Sequence, residues 1–547
     1  MGRAGAFCLS LARDRRQFRV MKRCLAAVMA MQLCAWSCPA ADAAAGAQQP
    51  LWALAQSRAD AHRFSVLFTA QDVRDSLSSE ADIDRAIGWC LENGVTRVYI
   101  EAYRGAYWAE RATLLRAKER FLARGFLVSG CVTTTQVGKR STGWSEEISC
   151  YTDQPTQEKL QSIFEYAAGL FDEIMIDDFY FTECACPECD AARKARVAVV
   201  GDGRYPVDGD TWSDYRRELM LRVSMGRVLG PARRVNPHVR IIIKYPNWHD
   251  KFAQRGYDVA SETAAFDRIW VGTETRDFND PRWGGLPAYG GYFIMRWLGG
   301  IGGDKCGGGW FDSLGTTPHT YVEQARQTVL GGARESMLFN YSGLHRGPGP
   351  DDVAALRAAM PELLDVAAQV ASHRPVGVAA YNPPNSQPLD EALVFDFAGM
   401  LGLPLAPCHR FPANEPAAMF SEQALSDPNL AGELAEFVRS GRPTLVTDGL
   451  KDRLKGTVDL DAPNVQVLAV NGKPRSLLQW DQPALDAMRR PLLAALHATF
   501  RAPNGVALYL FNSNSWVVEN FNDQPASVEL NGEPMTIEAR GWRYLWR

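Results

Sequence analysis

Residues 171–190 read FDEIMIDDFYFTECACPECD, and the rest of the chain falls into place around them. Glu173 to Ile176 opens on one acid and runs on as three apolar residues, Ile174-Met175-Ile176, which reads as a short buried strand. It delivers two adjacent acids, Asp177 and Asp178, to its C-terminal end. An aromatic run, Phe179-Tyr180-Phe181, follows, and then Cys184, Cys186 and Cys189 in a C-x-C-x-x-C spacing. Acids at the C-terminal end of a parallel strand are where barrel enzymes keep their chemistry. Closely spaced thiols are a metal-ligand pattern.

Working outward, short apolar runs alternate with amphipathic helices from about residue 62, the rhythm of βα units. Strands are expected at Phe64–Phe68, Arg97–Ile100, Phe126–Val132, Glu173–Ile176, Val239–Lys244, Phe266–Val271, Tyr292–Met295 and Ser336–Phe339. The helix feeding the fourth is clear, with Leu160, Ile163, Phe164, Ala167 and Phe171 on one face. Eight units over residues 60–350 predict a (β/α)8 barrel, and Gly299 to Gly309 reads as a flexible loop. Residues 373–500 carry short strands between helices and predict a smaller flavodoxin-like α/β domain, an interaction or homo-oligomerisation module. Residues 504–547 alternate strands without helices, with a hairpin signal at Asn531-Gly532, and predict a small antiparallel β domain.

The chain of 547 residues is too long for one core. Its 46% apolar and 22% charged residues indicate a globular protein. A net charge of -4 with no Lys/Arg block argues against a nucleic-acid partner. The 15 Trp and 17 Tyr suit sugar faces as well as cores. Residues 1–45 read as a targeting segment: Lys22-Arg23 precede the apolar run Cys24–Trp36, and Ala41-Asp42-Ala43 fits a cleavage site. Arg15-Arg16-Gln17-Phe18 resembles a twin-arginine signal, with general secretion from Met21 as the competitor. The mature protein is expected to be exported, periplasmic or secreted, with no membrane span.

Cleaving a glycosidic bond takes two carboxyl groups across the scissile bond. Asp177 and Asp178 after the fourth strand and Glu274 after the sixth are the catalytic candidates. Strand alternation suggests that only one aspartate faces the barrel mouth. Asp178, or Asp177 behind it, is assigned the attack, and the longer Glu274 the proton transfer. Glu101, Tyr103, Arg104, Lys244, Asn247, Trp248, Arg276, Arg296, Trp310 and Asn340 follow other strands and are candidates for binding sugar hydroxyls and ring faces, with Asp312 beside them. The plainer reading pairs the acids with Arg276 and Lys244. A structural zinc needs a fourth ligand beside Cys184, Cys186 and Cys189; Cys150 is the first choice and Cys131 the next. One or two disulfides are the competing reading. No organic cofactor motif is present.

Barrel, flavodoxin-like domain and small β domain together resemble the layout of family 42 β-galactosidases. Those enzymes hold a structural zinc with a distant cysteine and a C-x-C-x-x-C group after the fourth strand, matched here by Cys184, Cys186 and Cys189. They use an Asn-Glu pair at the fourth strand and a Glu at the seventh, whereas this chain has Asp177-Asp178 and Glu274. Acids on strands four and six look more like the α-galactosidase clan, and IDDFYF is similar to segments of barrels described only as glycosyl hydrolase-like. The resemblance implies a retaining, exo-acting glycosidase, galactosidase-like, acting on an oligo- or polysaccharide. A carbohydrate-binding or scaffolding barrel without catalysis is the alternative.

Overall fold

The computed structural model describes residues 51–547 apart from 144 and 146; the expected targeting segment lies outside the described residues. Eight parallel strands close into a barrel: β1 Arg63–Phe68, β2 Val95–Arg104, β3 Leu127–Val132, β4 Glu173–Ile176, β5 Arg240–Tyr245, β6 Arg268–Gly272, β7 Cys306–Asp312 and β8 Glu335–Phe339. β1 pairs with both β2 and β8, which closes the sheet. Each strand sends one side chain into a separate interior belt: Leu67, Tyr99, Cys131, Met175, Ile242, Trp270, Trp310 and Met337. The barrel interior is therefore a packed core, and the ligand space of the barrel lies above it, at the C-terminal ends of the strands.

β7 departs from the expectation. Tyr292 to Met295 lies in the helix Gly290–Gly302, and the seventh strand is the glycine-rich run that had been expected as a loop. The glycines serve close packing. A β-carbon at Gly307 would lie 2.6 Å from the Trp270 indole nitrogen, and one at Gly308 would run into the carbonyl oxygen of Glu335. The helix Gly290–Gly302 buries Tyr292, Phe293, Ile294, Met295, Trp297 and Leu298. Its centre, Tyr292 to Met295, is a continuous apolar run, and such a run by itself does not tell a buried helix from a strand.

Beyond the barrel, a five-stranded parallel sheet runs in the order Leu405–Cys408, Val378–Tyr381, Ala418–Phe420, Thr444–Thr447, Val465–Leu468. Numbered along the chain this is 2-1-3-4-5, the flavodoxin-like order. The apolar stretch from Val376 to Ala380 is divided at Gly377. Pro375–Val376 pairs antiparallel with Val506–Phe511, while Val378–Tyr381 belongs to the parallel sheet. The C-terminal strands form two small antiparallel sheets, extended by Phe500–Arg501 and Trp542–Leu545. Asn531 and Gly532, both at positive φ, make the hairpin turn. Among the described residues no helix is long and apolar enough to cross a membrane.

Candidate active site

β4 ends at Ile176, so Asp177 and Asp178 lie just past the strand, where alternation no longer applies. Both line one cavity of about 470 Å³ at the barrel rim, which corrects the expectation that only one would. Asp177 is buried. Its Oδ2 accepts from Arg104 Nη2 at 2.6 Å and from Thr133 Oγ1 at 2.8 Å, and its Oδ1 from the Asp178 amide at 2.7 Å. Burial opposes its ionisation, but Arg104, Lys244 and these hydrogen bonds outweigh that and hold the carboxyl below the usual range.

The register of β4 against β5 sets Ile176 opposite Ile243, so Lys244 comes level with the acids. Its buried ammonium donates to Asp178 Oδ2 and to Glu274 Oε1, each at 2.7 Å. Those two oxygens are therefore no more than twice that distance apart. The same ammonium lies 4.1 Å from the centre of the Trp310 ring, above the barrel core. Burial pushes Asp178 up to about 8, eased by Lys244 but reinforced by the neighbouring charges of Asp177 and Glu274. Glu274 is also raised, chiefly by burial, and Lys244 eases that too. Lys244 itself is raised: burial works against its charge, and Asp178, Glu274 and Asp177 more than offset it.

Arg276 closes the next side, donating from Nε and Nη2 to the two oxygens of Asp312 at 3.0 and 2.6 Å. Asn247 fixes the backbone beneath Glu274 by donating to its carbonyl at 2.6 Å. Trp248, Trp310 and Arg104 complete the predicted residues on the wall. The plainer expectation of ion pairing also describes these acids: Lys244 bridges two of them, and Arg104 holds the third. Chain order gave no notice of Lys251, Arg255, Trp283, Leu314 and Phe339 on the same wall. Phe179 and Phe181 belong to the aromatic run, and Trp283 to the loop after β6, where a lone tryptophan was the available signal.

Four predicted binding residues are placed elsewhere. Glu101 is buried behind the wall, where its Oε2 accepts from Arg104 Nε and from the Ala70 amide, both at 2.8 Å. Tyr103 is buried and donates its hydroxyl to the Gln136 carbonyl at 2.9 Å. The pairing of β2 with β3 shifts register between Glu101 and Tyr103, an irregularity that re-aims the residues around it. Asn340 donates to Asp72 Oδ2 at 3.0 Å and to Ser342 Oγ at 3.2 Å. Arg296 sits on the outer helix, because its segment is not a strand, and lines a different cavity.

Cys150, Cys184, Cys186 and Cys189 are buried with all four sulfurs within 4.8 Å of one another. Cys150 to Cys189 and Cys186 to Cys189 are 3.5 Å apart, and Cys150 to Cys186 is 3.9 Å. Tetrahedral thiolate ligands about 2.3 Å from a zinc ion stand about 3.8 Å apart. A disulfide needs about 2.05 Å. The cluster could hold a metal, and the spacing fits one better than it fits disulfides. Thr152 Oγ1 lies 3.0 Å from Cys189 Sγ and 2.8 Å from the Tyr215 hydroxyl, a supporting contact behind the ligands. Cys131, the other choice for the fourth position, points into the barrel belt.

A closed eight-stranded barrel with paired acids at its rim defines the class of barrel glycosidases. The chain matches the family described as probable glycosyl hydrolase, catalytic domain, over residues 48–352, and belongs to it. An uncharacterised protein of Saccharolobus solfataricus is 29% identical over 298 residues, 51% of this chain and 48% of its own length. That match spans about half the relative. Among solved structures, the family 42 β-galactosidase Gan42B superposes with a TM-score of 0.57 at 11% identity, covering 88% of this chain and 97% of its own. α-L-Fucosidase isoenzyme 2 from Paenibacillus thiaminolyticus gives 0.58 at 11% identity, with 86% and 93% covered. These likenesses establish the fold.

Proposed function

We propose that this chain is an exported, retaining, exo-acting glycoside hydrolase whose working carboxyls are Asp178 and Glu274. The observation that carries the reading is the pair of 2.7 Å contacts to Lys244. With both carboxyls on one ammonium, their nearest oxygens are at most twice that distance apart, closer than the inverting range of about 6.5–9.5 Å, and this favours the retaining arrangement. The electrostatics exchange the roles that chain order suggested. Asp178, beside the charge of Asp177 and pushed up to about 8, keeps the proton at neutral pH. Glu274 is also raised, by burial and by the charge of Asp312, but has Lys244 and Arg276 against these, and we assign it the anion. Asp178 then protonates the leaving oxygen, and Glu274 attacks the anomeric carbon and forms the glycosyl-enzyme. Water deprotonated by Asp178 releases the sugar. Asp177, its oxygens already taken, holds the charge balance. Trp248 and Trp283 supply ring faces for a sugar, and a cavity of about 470 Å³ suits the terminal residues of a glycan.

The four cysteines would hold a structural zinc that pins the loop carrying Phe179 and Phe181. A panel of aryl galactosides, fucosides and glucosides of both anomers tests the activity, with Asp178→Asn and Glu274→Gln as controls. Loss of turnover in both supports the pair. Azide should rescue Asp178→Asn to a retained glycosyl azide and Glu274→Gln to an inverted one. If neither substitution lowers turnover, the assignment fails. The tight pairing of every acid also suits a barrel that binds sugar without cutting it, and glycan binding without turnover would favour that reading.

A further inference from the structure

A second cavity, of about 560 Å³, lies where the helix Gly290–Gly302 and the segment before β8 meet the edge of the parallel sheet. Its wall carries three arginines, Arg296, Arg334 and Arg374, against one acid, Glu415. Arg296 is the informative one. Its Nη2 donates to the Leu330 carbonyl at 2.6 Å, and the guanidinium lies against the rings of Tyr292 and Phe511. Its Nε is buried and has no hydrogen-bond partner among the described residues. Among the described residues no carboxylate pairs with it, and the groups acting on its charge are tyrosines that burial keeps neutral. Gly332, at a φ of +87°, keeps space beside it, since a β-carbon there would come within 2.8 Å of its Nη1.

A half-buried guanidinium with no carboxylate partner is a costly arrangement for a protein to keep. Ring faces, the Tyr292 hydroxyl and one carbonyl offset part of that cost. Placed beside a cavity, the same group is a fork that matches a planar carboxylate or a phosphoryl group. Arg374 is exposed at the rim and likewise pairs with no carboxylate among the described residues. Arg334 at the other side is 3.2 Å from Asp304, an acid that is itself fully exposed. The remaining wall is mostly apolar, so it can take the hydrocarbon or ring portion of such a ligand.

We propose that this cavity binds a small organic anion, a carboxylate or a phosphate ester, through Arg296 and Arg374, apart from the acids at the barrel rim. The test is calorimetric titration of the full chain at fixed ionic strength with glucuronate, citrate, inorganic phosphate and glucose 6-phosphate, against a chloride background. At least one should bind saturably. Arg296→Gln should abolish that binding, and Arg374→Gln should weaken it about tenfold or more. Binding confined to glucuronate and citrate assigns a carboxylate; binding confined to the phosphates assigns a phosphoryl group. Arg374 is exposed, so its variant folds and decides the matter even if Arg296→Gln does not. The proposal is overturned if none of the four binds below about 10 mM, or if the affinity in Arg374→Gln equals that of the parent. Binding is read without turnover, so the result is independent of whether Asp178 and Glu274 cleave sugars.

Discussion

Lys244→Met removes one charge and keeps the chain that packs over Trp310. Two unit charges 2.7 Å apart interact by about 6 kcal/mol at an effective dielectric of about 20, or about four pKa units. Relaxation and the remaining Arg276 cut that, and half of it still leaves about two units on Glu274. The direction is set by the charge: Glu274 loses the cation that favours its ionised form, so its pKa rises further from the usual value. The acid limb of the pH profile of kcat/KM should therefore move up by about two pH units, with the loss of activity greatest on the acid side of the optimum. The substrate is whichever aryl glycoside the panel identifies. Carbon-13 titration of the Asp178 and Glu274 carboxyls gives the same answer without a substrate. Unmoved carboxyl titrations in Lys244→Met would refute the idea that this lysine sets the charge state of the pair.

Asp177→Ala leaves Arg104 and Lys244 each short of a buried partner and should cost about 3–5 kcal/mol in urea unfolding, against under about 1 kcal/mol for an exposed ion pair. His249 is buried with Nδ1 3.2 Å from Asp250 and Nε2 3.6 Å from Asp396, ion-pair distances without hydrogen-bond geometry. Burial lowers its pKa, but the two acids raise it overall to about 10. Its stabilisation is then complete below the unfolded value of about 6.5 and is lost as pH rises through about 10. Thermal midpoints should fall more steeply from pH 7 to 10 in the parent than in His249→Gln, and parallel curves would count against the ion pair. Protein purified without chelator should carry one zinc per chain, and Cys186→Ser should reduce that content and lower the thermal midpoint; full metal content in the variant would exclude Cys186 as a ligand.

The fourth strand and its acids were legible because β4 is buried on both faces and three of its residues, Ile174-Met175-Ile176, form an apolar run that ends at the acids. The seventh was not, because its glycines are chosen by neighbours from β6 and β8 that no local pattern reveals. The same limit governs the site. Asp178 and Glu274 could be named from their places after β4 and β6. Lys244 could be named too, but its bridging of them depends on register between β4 and β5. Arg104 reaches the wall while Tyr103 does not, a choice made at a register irregularity in β2. The cysteine cluster was the most readable feature, since three thiols within six residues leave few geometries. The fourth had to be chosen between Cys150, just before the helix that feeds β4, and Cys131, which faces the barrel interior.

Two walls of the rim cavity are secured from behind by different means. On one, Phe179 and Phe181 lead directly into Cys184, Cys186 and Cys189. On the other, Asn247, Trp248 and Lys251 flank His249 and Asp250, which face the parallel-sheet domain. Asp250 accepts from the Leu393 amide at 2.6 Å and from Gln423 Nε2 at 3.2 Å, and Asn385 accepts from the Val259 amide at 3.0 Å. Loops at a barrel mouth have little apolar surface of their own to order them, and a sugar-stacking indole is useful only if its plane is fixed. The second domain thus has work to do within one chain: it stabilises the segment that presents Trp248. That role follows from buried charges crossing between the two domains, and it holds whether or not the same domain also joins copies of the protein.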